Sequence, residues 1–510
     1  MADTRFRYPG AQPFRDDDVA RQTFFGRDAA AIALTDQILA NRLVVVYAKS
    51  GVGKTSLLNA GVAQRLRSAN TIPLFLRVND VEHDVRTALF EEIRTEAARQ
   101  KVEYVPGDAS SLWTFFKTAQ FWRGDLLLTP VLILDQFEEL FTLQSEQQRE
   151  QFLPELSYVV RGVAPSLPAD SKFTEAPPPI HVVLSLREDF LGLLEEASDR
   201  IPQILDHRFR LAPLDRETAA DAIQRPAEIT NPNFATKPFR LAPEVVPAIL
   251  DYLVRSAVGI GSTEKRYLEP FHLQLICQQI ERIAAEKQKG GGGELELSLA
   301  DIGGEAAFAE TLLNFYHDAI LSLPSRSVRK AARRMCEDYL ISPEGRRLSL
   351  EERQLQEQLK LTPAALQQLV DRRLLRTDRR ADNTYYELSH DALVRPILDQ
   401  SRTMAVASGW MYLLLGILAF AMGAIFAFCA IGVPIYGVVE LFTKSGDRGE
   451  AIAMMFAGPF VYGAMTWGLI FVARRWLRHA KRIRTLYQRK QATTAPPLIA
   501  QPVARSVAGH

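Results

Sequence analysis

The chain has 510 residues, enough for several domains, and its 61 Lys and Arg nearly cancel its 60 Asp and Glu. This balance excludes a whole-chain excess of charge that would favour nucleic acid, so any basic surface must be local. The three cysteines, Cys277, Cys336 and Cys429, are far apart and provide neither a disulfide framework nor a CxxC metal site. The polar N-terminus also lacks the apolar stretch of a secretory signal, so we expect the front portion to stay in the cytosol.

The first third of the chain alternates apolar runs with polar helical segments. Apolar runs cover residues 43–47, 72–78, 131–134 and 181–184. Such runs are typical of strands buried on both faces of a parallel sheet. We therefore predict a flexible N-terminus over residues 1–20 and a doubly wound α/β domain over residues 21–225.

Helical patterns dominate the next region. We predict a helical domain over residues 226–323 and a second, smaller domain over residues 324–402. The smaller domain has short helices followed by two apolar segments around an Asp-Asn turn, which predicts a β-hairpin wing. Helices that end in a wing indicate a winged-helix domain.

Two uncharged runs, residues 403–439 and 451–473, follow this domain. At about 1.5 Å per residue the second run reaches roughly 35 Å, more than the ~30 Å of a hydrocarbon core. We therefore predict two transmembrane helices, at about 409–438 and 451–473, within residues 403–475. The alternative is a buried helical hairpin. We also predict a basic cytosolic tail with a disordered end over residues 476–510, and from its Arg and Lys residues we expect both termini in the cytosol.

The clearest chemical motif follows the first apolar run, where AlaLysSerGlyValGlyLysThrSer covers residues 48–56. Phosphate binding needs inward backbone N–H groups, a helix N-terminus, a lysine for the terminal phosphates and a hydroxyl for Mg²⁺. Ala48 replaces the first glycine of GxxxxGK[ST], a small departure near the strand end. The predicted nucleotide-binding residues of this loop are Gly51, Val52, Gly53, Lys54, Thr55 and Ser56.

Carboxylates follow the third apolar run. Asp135 stands at the strand end, where ligands lie in an open α/β sheet, and would hold Mg²⁺ together with Thr55. Glu138 or Glu139 would orient and deprotonate the attacking water, and Glu138 is the favoured candidate. In the alternative interpretation, one of the two glutamates only caps a helix or faces solvent.

The fourth run brings Arg187 to the same sheet edge, where an arginine can sense the γ-phosphate. Ser185 comes to this edge as well. In the alternative interpretation, Arg187 forms only a structural salt bridge with Glu188 or Asp189.

These motifs together resemble a known family, the STAND class of signal-transduction ATPases. The match is to its novel bacterial branch with a DQxEE Walker B motif, which is related to the NACHT ATPases and AP-ATPases. The resemblance covers about residues 20–400. It rests on six segments: Phe24–Asp28, Asp135–Phe141, Leu186–Phe190, Ala222–Ala227, Leu268–Cys277 and Glu387–Leu393.

The resemblance implies ATP/ADP with Mg²⁺ as cofactors and slow, switch-type ATP hydrolysis. It also implies that the P-loop, helical and winged-helix domains close over ADP and open with ATP to form a homo-oligomer. Phe24, Gly26 and Arg27 would approach the base and ribose, and Pro226 would line the base pocket. His390 would touch the ADP β-phosphate, or it could be only a helix cap.

The leading functional hypothesis is a membrane-anchored switch in the bacterial inner membrane, with a membrane-acting output on its lipid and an unknown protein or ligand as trigger. The resemblance makes a role in anti-phage defence or cell death plausible. The alternative is a signalling scaffold or adaptor whose transmembrane hairpin is only an anchor. We expect no nucleic-acid partner, since acidic residues interleave with the basic ones over residues 371–380.

Overall fold

A parallel β-sheet is the central element of the computed structural model. The structure describes residues 5–78, 84–165, 174–256, 268–290, 294–342, 345–380, 383–443, 461, 463–474 and 476. The chain divides into two compact units. Unit 1 contains Met1–Leu340 and Arg347–Leu393, and unit 2 contains Ile341–Arg346 and Val394–His510.

Short apolar segments form the strands of the described part of the chain. In chain order the strands are β1 (Leu43–Ala48), β2 (Thr71–Leu76), β3 (Glu103–Val105), β4 (Gln120–Arg123), β5 (Leu126–Leu127), β6 (Thr129–Asp135), β7 (His181–Arg187), β8 (Arg208–Arg210), β9 (Phe239–Leu241), β10 (Leu295–Leu297), β11 (Leu350–Glu351), β12 (Leu375–Arg380) and β13 (Asn383–Leu388).

Polar residues that accept hydrogen bonds from the first turn start several of the helices; examples are Asp84, Ser111, Ser145 and Asp215. In chain order the helices are α1 (Asp18–Thr23), α2 (Asp28–Ala40), α3 (Lys54–Ser56), α4 (Ala63–Ser68), α5 (Val85–Arg99), α6 (Leu112–Thr118), α7 (Glu139–Thr142), α8 (Glu146–Arg161), α9 (Leu191–Glu196), α10 (Arg216–Ala227), α11 (Val245–Ser256), α12 (Pro270–Gln288), α13 (Gly304–Leu321), α14 (Arg326–Arg334), α15 (Glu352–Leu359), α16 (Pro363–Asp371) and α17 (Val394–Thr443). A π-helical turn, Leu57–Val62, joins α3 to α4.

The central sheet has the order β2-β6-β7-β1-β8, with every pair parallel. Successive side chains of β1 enter opposite clusters: Leu43 and Val45 lie in one, and Val44 and Val46 in the other. The same alternation holds in β6, so helices cover both faces of the sheet. The predicted doubly wound α/β domain and its four strands are confirmed. The short edge strand β8 was missed, because RFR contains one apolar residue.

Helices α10 to α13 surround a separate apolar cluster of unit 1. Ala219, Ile223 and Ala227 of α10 belong to this cluster. The predicted domain border after residue 225 therefore falls inside α10. The apolar face of that helix packs with the helical region.

Helix α14 precedes strand β11, and α15 and α16 follow it; β12 and β13 then complete a small antiparallel sheet of order β11-β13-β12. The predicted hairpin is present: β12 and β13 pair from Leu375↔Leu388 to Arg380↔Asn383. Residues 381–382 at its turn lie outside the described residues. Three helices with a terminal hairpin fit the predicted winged-helix domain, which stays a prediction.

The N-terminal segment differs from the predicted flexible stretch of residues 1–20. Tyr8 is buried in the cluster of the helical region and donates a hydrogen bond to the carbonyl of Ile223. Arg7 is buried as well and pairs with Glu281. These side chains find partners more than 200 positions away in the sequence, so sequence composition alone did not reveal them.

The predicted location in a bacterial inner membrane, with two transmembrane helices and both termini cytosolic, is wrong. A spanning helix needs about 20 consecutive, predominantly apolar residues. Within the part of the chain that the structure describes, no helix meets both the length and the apolarity that a membrane crossing requires. Residues 451–460 and 462 of the second predicted span and nearly all of the predicted tail at residues 476–510 lie outside the described residues.

Candidate nucleotide-binding site

The loop after β1 has the backbone of a phosphate-binding site. Gly51 and Gly53 have φ values of 81° and 104°, in the left-handed region that L side chains rarely adopt. Gly53 directly precedes α3, so backbone N–H groups of the loop and the first helical turn are available to an anion. Val52 is buried in the cluster that contains Val44 and Val46, which anchors the loop to the sheet.

Thr55 and Asp135 meet at the sheet edge, as predicted for a metal site. The Thr55 hydroxyl donates a hydrogen bond of 2.8 Å to Asp135 Oδ2, and Ser185 Oγ donates one of 2.8 Å to Oδ1. A hydroxyl beside a buried carboxylate is a set of hard oxygen donors, which suits Mg²⁺. These two residues fit the ion, which on binding would neutralise phosphate charge.

Lys54 lies at the same edge, and its Nζ donates to the carbonyl oxygen of Ala48 over 3.2 Å. Burial lowers the pKa of Lys54, whereas the negative charges of Glu138 and Asp135 oppose this shift. The ammonium group therefore feels the charges of both carboxylates at the sheet edge.

Glu138 and Glu139 have different surroundings. Glu138 Oε2 accepts a hydrogen bond of 3.3 Å from the backbone N–H of Arg187. Burial raises the pKa of Glu138, and among nearby charges that of Lys54 opposes this most. Burial raises the pKa of Glu139 to about 7, and its main opposing charge is Arg77. Glu138 therefore shares the surroundings of Lys54 and Asp135, which favours it as the base.

Arg187 forms the salt bridge that the alternative interpretation predicted, with 2.6 Å between its Nη2 and Asp189 Oδ2. Glu188 pairs instead with Arg210. The Nε atom of Arg187 is buried, and no partner for it exists among the described residues. Its charge also acts on Lys54 and Glu138. The salt bridge and a position at the phosphate site are thus compatible.

The segment before α2 lies against the loop and α10. The Arg27 guanidinium donates to the carbonyl oxygens of Val52, over 3.1 Å, and Ala212, over 2.6 Å, and burial lowers its pKa to about 10. A Cβ on Gly26 would lie 2.1 Å from the Thr218 carbonyl oxygen, so only glycine fits there. Pro226 is buried in α10.

Phe14 contacts two of the predicted nucleotide-binding residues, Ser56 and Phe24. Its backbone N–H donates to Ser56 Oγ over 3.2 Å, and its ring meets Phe24 edge-on at 5.1 Å. The Ser56 hydroxyl thus contacts the N-terminal segment in this structure. Phe14 was missed because nothing in its local sequence marks it as a neighbour of the P-loop.

His390 reaches the phosphate loop from the segment after β13. A Cβ on Gly51 would lie 2.8 Å from the Nδ1 atom of His390, and the imidazole stacks on Phe271 at 3.7 Å. Burial lowers the pKa of His390 to about 3, helped by the positive charges of Arg347, Arg376 and Arg373. The ring is therefore neutral at pH 7 and packs against the loop. Its contact with the ADP β-phosphate stays a prediction.

Arg376 was missed as a site residue. In the sequence it stands in a charged stretch, and in the structure its Nη1 donates to Ser50 Oγ of the phosphate loop over 2.9 Å. The two residues are 326 positions apart, and no local pattern could have joined them.

Comparison with known proteins agrees with this geometry. Residues 8–254 match the family model described as Novel STAND NTPase 1. The chain is a P-loop NTPase. The segment matched by the family model contains the phosphate loop, Asp135 and both glutamates, and the model describes the type of NTPase that the motifs resemble.

Solved structures give a weaker likeness. The ORC2 protein of Aeropyrum pernix, in ADPNP-ADP complexes, aligns with 14% identity and a TM-score of 0.39 over 77% of this chain and 96% of its own. CDC6P of Pyrobaculum aerophilum aligns with 12% identity and a TM-score of 0.34 over 78% and 97%, respectively. No curated protein sequence matches the chain. The assignment therefore rests on the site residues and on the family match.

Proposed function

We propose that this NTPase is an ATP-dependent signalling switch that holds ADP in an off state and forms a homo-oligomer when ATP replaces it. One observation carries the proposal: within unit 1, residues around the β12–β13 hairpin touch the phosphate loop, with His390 against Gly51 and Arg376 bonded to Ser50. A contact at the phosphate site makes the position of the hairpin sensitive to the nucleotide.

The residues of the site have distinct proposed roles. The loop and Lys54 bind the β- and γ-phosphates, and Thr55 with Asp135 holds Mg²⁺, which stabilises phosphate charge. Glu138 takes a proton from the attacking water, and Arg187 acts on the γ-phosphate. Because hydrolysis returns the protein to its off state, we expect slow turnover.

The first test is the mass of the purified full-length chain with ADP and then with ATP and Mg²⁺, together with identification of any nucleotide that co-purifies. We expect bound ADP in a small species and a defined larger oligomer with ATP. Lys54→Ala is the control and should neither bind nucleotide nor change mass. Unchanged mass with rapid turnover by the wild type would contradict the switch and favour a constitutive ATPase.

The trigger would be a protein or ligand that weakens the contact between the hairpin and the loop. A trigger that bound the closed and open states with equal affinity would not shift the equilibrium between them. The trigger must therefore bind the open state more tightly. No nucleic acid is proposed as a partner.

A further inference from the structure

The β12–β13 hairpin fixes the direction of the Arg376 side chain. Arg376 and Glu387 are direct cross-strand partners, and the Nε atom of Arg376 is hydrogen-bonded to the Glu387 carboxylate. The Arg376 side chain is 21% exposed and that of Glu387 is 12% exposed. Because Glu387 binds Nε, the other end of the guanidinium points to the phosphate loop, where Nη1 lies 2.9 Å from Ser50 Oγ.

Two other arginines act on this guanidinium where it meets the loop. Burial lowers the pKa of Arg376, the charge of Glu387 opposes this shift, and the charges of Arg187 and Arg347 add to it. Each of the three arginines forms an ion pair with one carboxylate: Arg376 with Glu387, Arg347 with Asp391, and Arg187 with Asp189. Asp391 and Asp189 are 67% and 60% exposed, so water screens these two carboxylates more than the less exposed guanidinium groups that they pair with. An anion bound among the arginines would therefore lower the electrostatic free energy.

The chemistry of this position matches a phosphate. A guanidinium is planar and permanently charged, and it can give two parallel hydrogen bonds to phosphate oxygens. His390 also packs against the loop, and as a neutral ring it adds no charge to the site in this structure.

We propose that Arg376 is a nucleotide-binding residue, whose guanidinium binds the β-phosphate of ADP and so ties the β12–β13 hairpin to the phosphate loop. This inference rests on the proposed function, since it takes ADP as the nucleotide of the closed state. It adds a cation from the hairpin to a site whose other positive charges, Lys54 and Arg187, come from the sheet domain.

The test measures the affinity of the full-length chain for ADP, a non-hydrolysable ATP analogue and AMP by displacement of a fluorescent ADP. Arg376→Gln should weaken ADP binding by about tenfold to a hundredfold, the usual worth of one hydrogen bond to a charged group. AMP lacks the β-phosphate, and the ATP state lacks the closed hairpin, so both affinities should stay within about threefold. Retained AMP binding also reports that the variant is folded.

Two further variants separate phosphate binding from a purely structural contact. Ser50→Ala removes the hydroxyl that Arg376 bonds but keeps the guanidinium, so the preference for ADP over AMP should persist. Arg353→Gln is the matched control, because Arg353 is 81% exposed and pairs with Glu357 of its own helix. Arg376→Lys keeps a charge without the planar fork and should fall between the wild type and Arg376→Gln.

The proposal is overturned if Arg376→Gln binds ADP as the wild type does, if it loses ADP, the ATP analogue and AMP equally, or if Ser50→Ala reproduces its loss. These outcomes are distinct from failure of the switch. A wild-type chain whose mass does not respond to ATP would contradict the switch, even where Arg376→Gln shows the selective loss of ADP.

Discussion

Glu138 and Glu139 are neighbours in sequence, yet their carboxylates face different charges. Burial raises the pKa of both carboxyl groups. The charge of Lys54 opposes this shift in Glu138, which also accepts a hydrogen bond from the Arg187 backbone, whereas the charge of Arg77 opposes it in Glu139. A base for hydrolysis must stand within reach of a water at the γ-phosphate, and Lys54 marks that place.

Glu138→Gln should therefore bind ATP and fail to hydrolyse it, with kcat reduced by about a hundredfold or more, the typical contribution of a general base. Glu139→Gln is the matched variant and should keep turnover within about threefold of the wild type, below 1 kcal/mol in barrier height. Phosphate release from ATP measures both. Normal turnover in Glu138→Gln with loss in Glu139→Gln would move the base to Glu139.

Glu139 also gives a pH prediction for the nucleotide-free protein. Its folded-state pKa of about 7 lies above the ordinary value of 4.5, so the stability it contributes is present below pH 4.5 and is lost as the pH rises through 7. Glu139→Gln mimics the protonated form. It should stabilise the fold at pH 8 by about 1–2 kcal/mol and have little effect at pH 4.5, as measured by thermal unfolding. Equal effects at both pH values would contradict the shift.

At the scale of elements, the N-terminal segment joins the helical region to the helix after the phosphate loop. The Arg7 and Glu281 side chains form a salt bridge with no exposed surface, and Thr236 hydrogen-bonds both. Further along, Phe14 contacts Ser56 and Phe24 beside the loop. This segment therefore connects the two sides of the nucleotide site.

Arg7→Met should destabilise the protein by about 3–5 kcal/mol, because it leaves a buried carboxylate without its cation. Adding Glu281→Leu should recover much of this loss, since the unpaired charge is then gone. The free energy of unfolding in urea measures both. Arg5→Met is the control: Arg5 and Asp17 are 37% and 31% exposed, so its loss should cost about 1 kcal/mol or less. Equal losses in Arg5→Met and Arg7→Met would contradict the assignment.

At the scale of the whole molecule, Phe14, Asp135, Arg376 and His390, which were described above at the nucleotide site, belong to unit 1. They come from the N-terminal segment, the sheet domain and the region around the β12–β13 hairpin. A nucleotide that contacts all three regions stabilises them together, because it binds the folded state and not the unfolded chain.

ADP at about a hundred times its Kd should therefore raise the free energy of unfolding of unit 1 by about 2.7 kcal/mol. Differential scanning calorimetry should show this as a shift of one transition to higher temperature. Lys54→Ala is the control and should show no shift. If ADP left the transition temperature of the wild type unchanged, nucleotide binding by the folded chain would be excluded.

The sequence alone determined the features that depend on neighbouring residues. Gly51, Gly53, Lys54 and Thr55 follow a strand and begin a helix, and local backbone geometry suffices to make this a phosphate site. Continuous apolar runs likewise determined four strands of the sheet, and two segments around a turn determined the hairpin. Hydropathy along the chain was a poor guide to location, since no described helix meets the requirements for crossing a membrane.

The tertiary structure decided everything that depends on distant partners. Which glutamate faces Lys54 follows from how the turn after β6 packs, and spacing within the motif does not encode it. Arg376 meets Ser50, and Arg7 meets Glu281, across 326 and 274 positions of sequence. A guanidinium looks the same in a sequence whether it faces solvent, a buried carboxylate or a phosphate loop. Only the folded structure brings the guanidinium and its partner together.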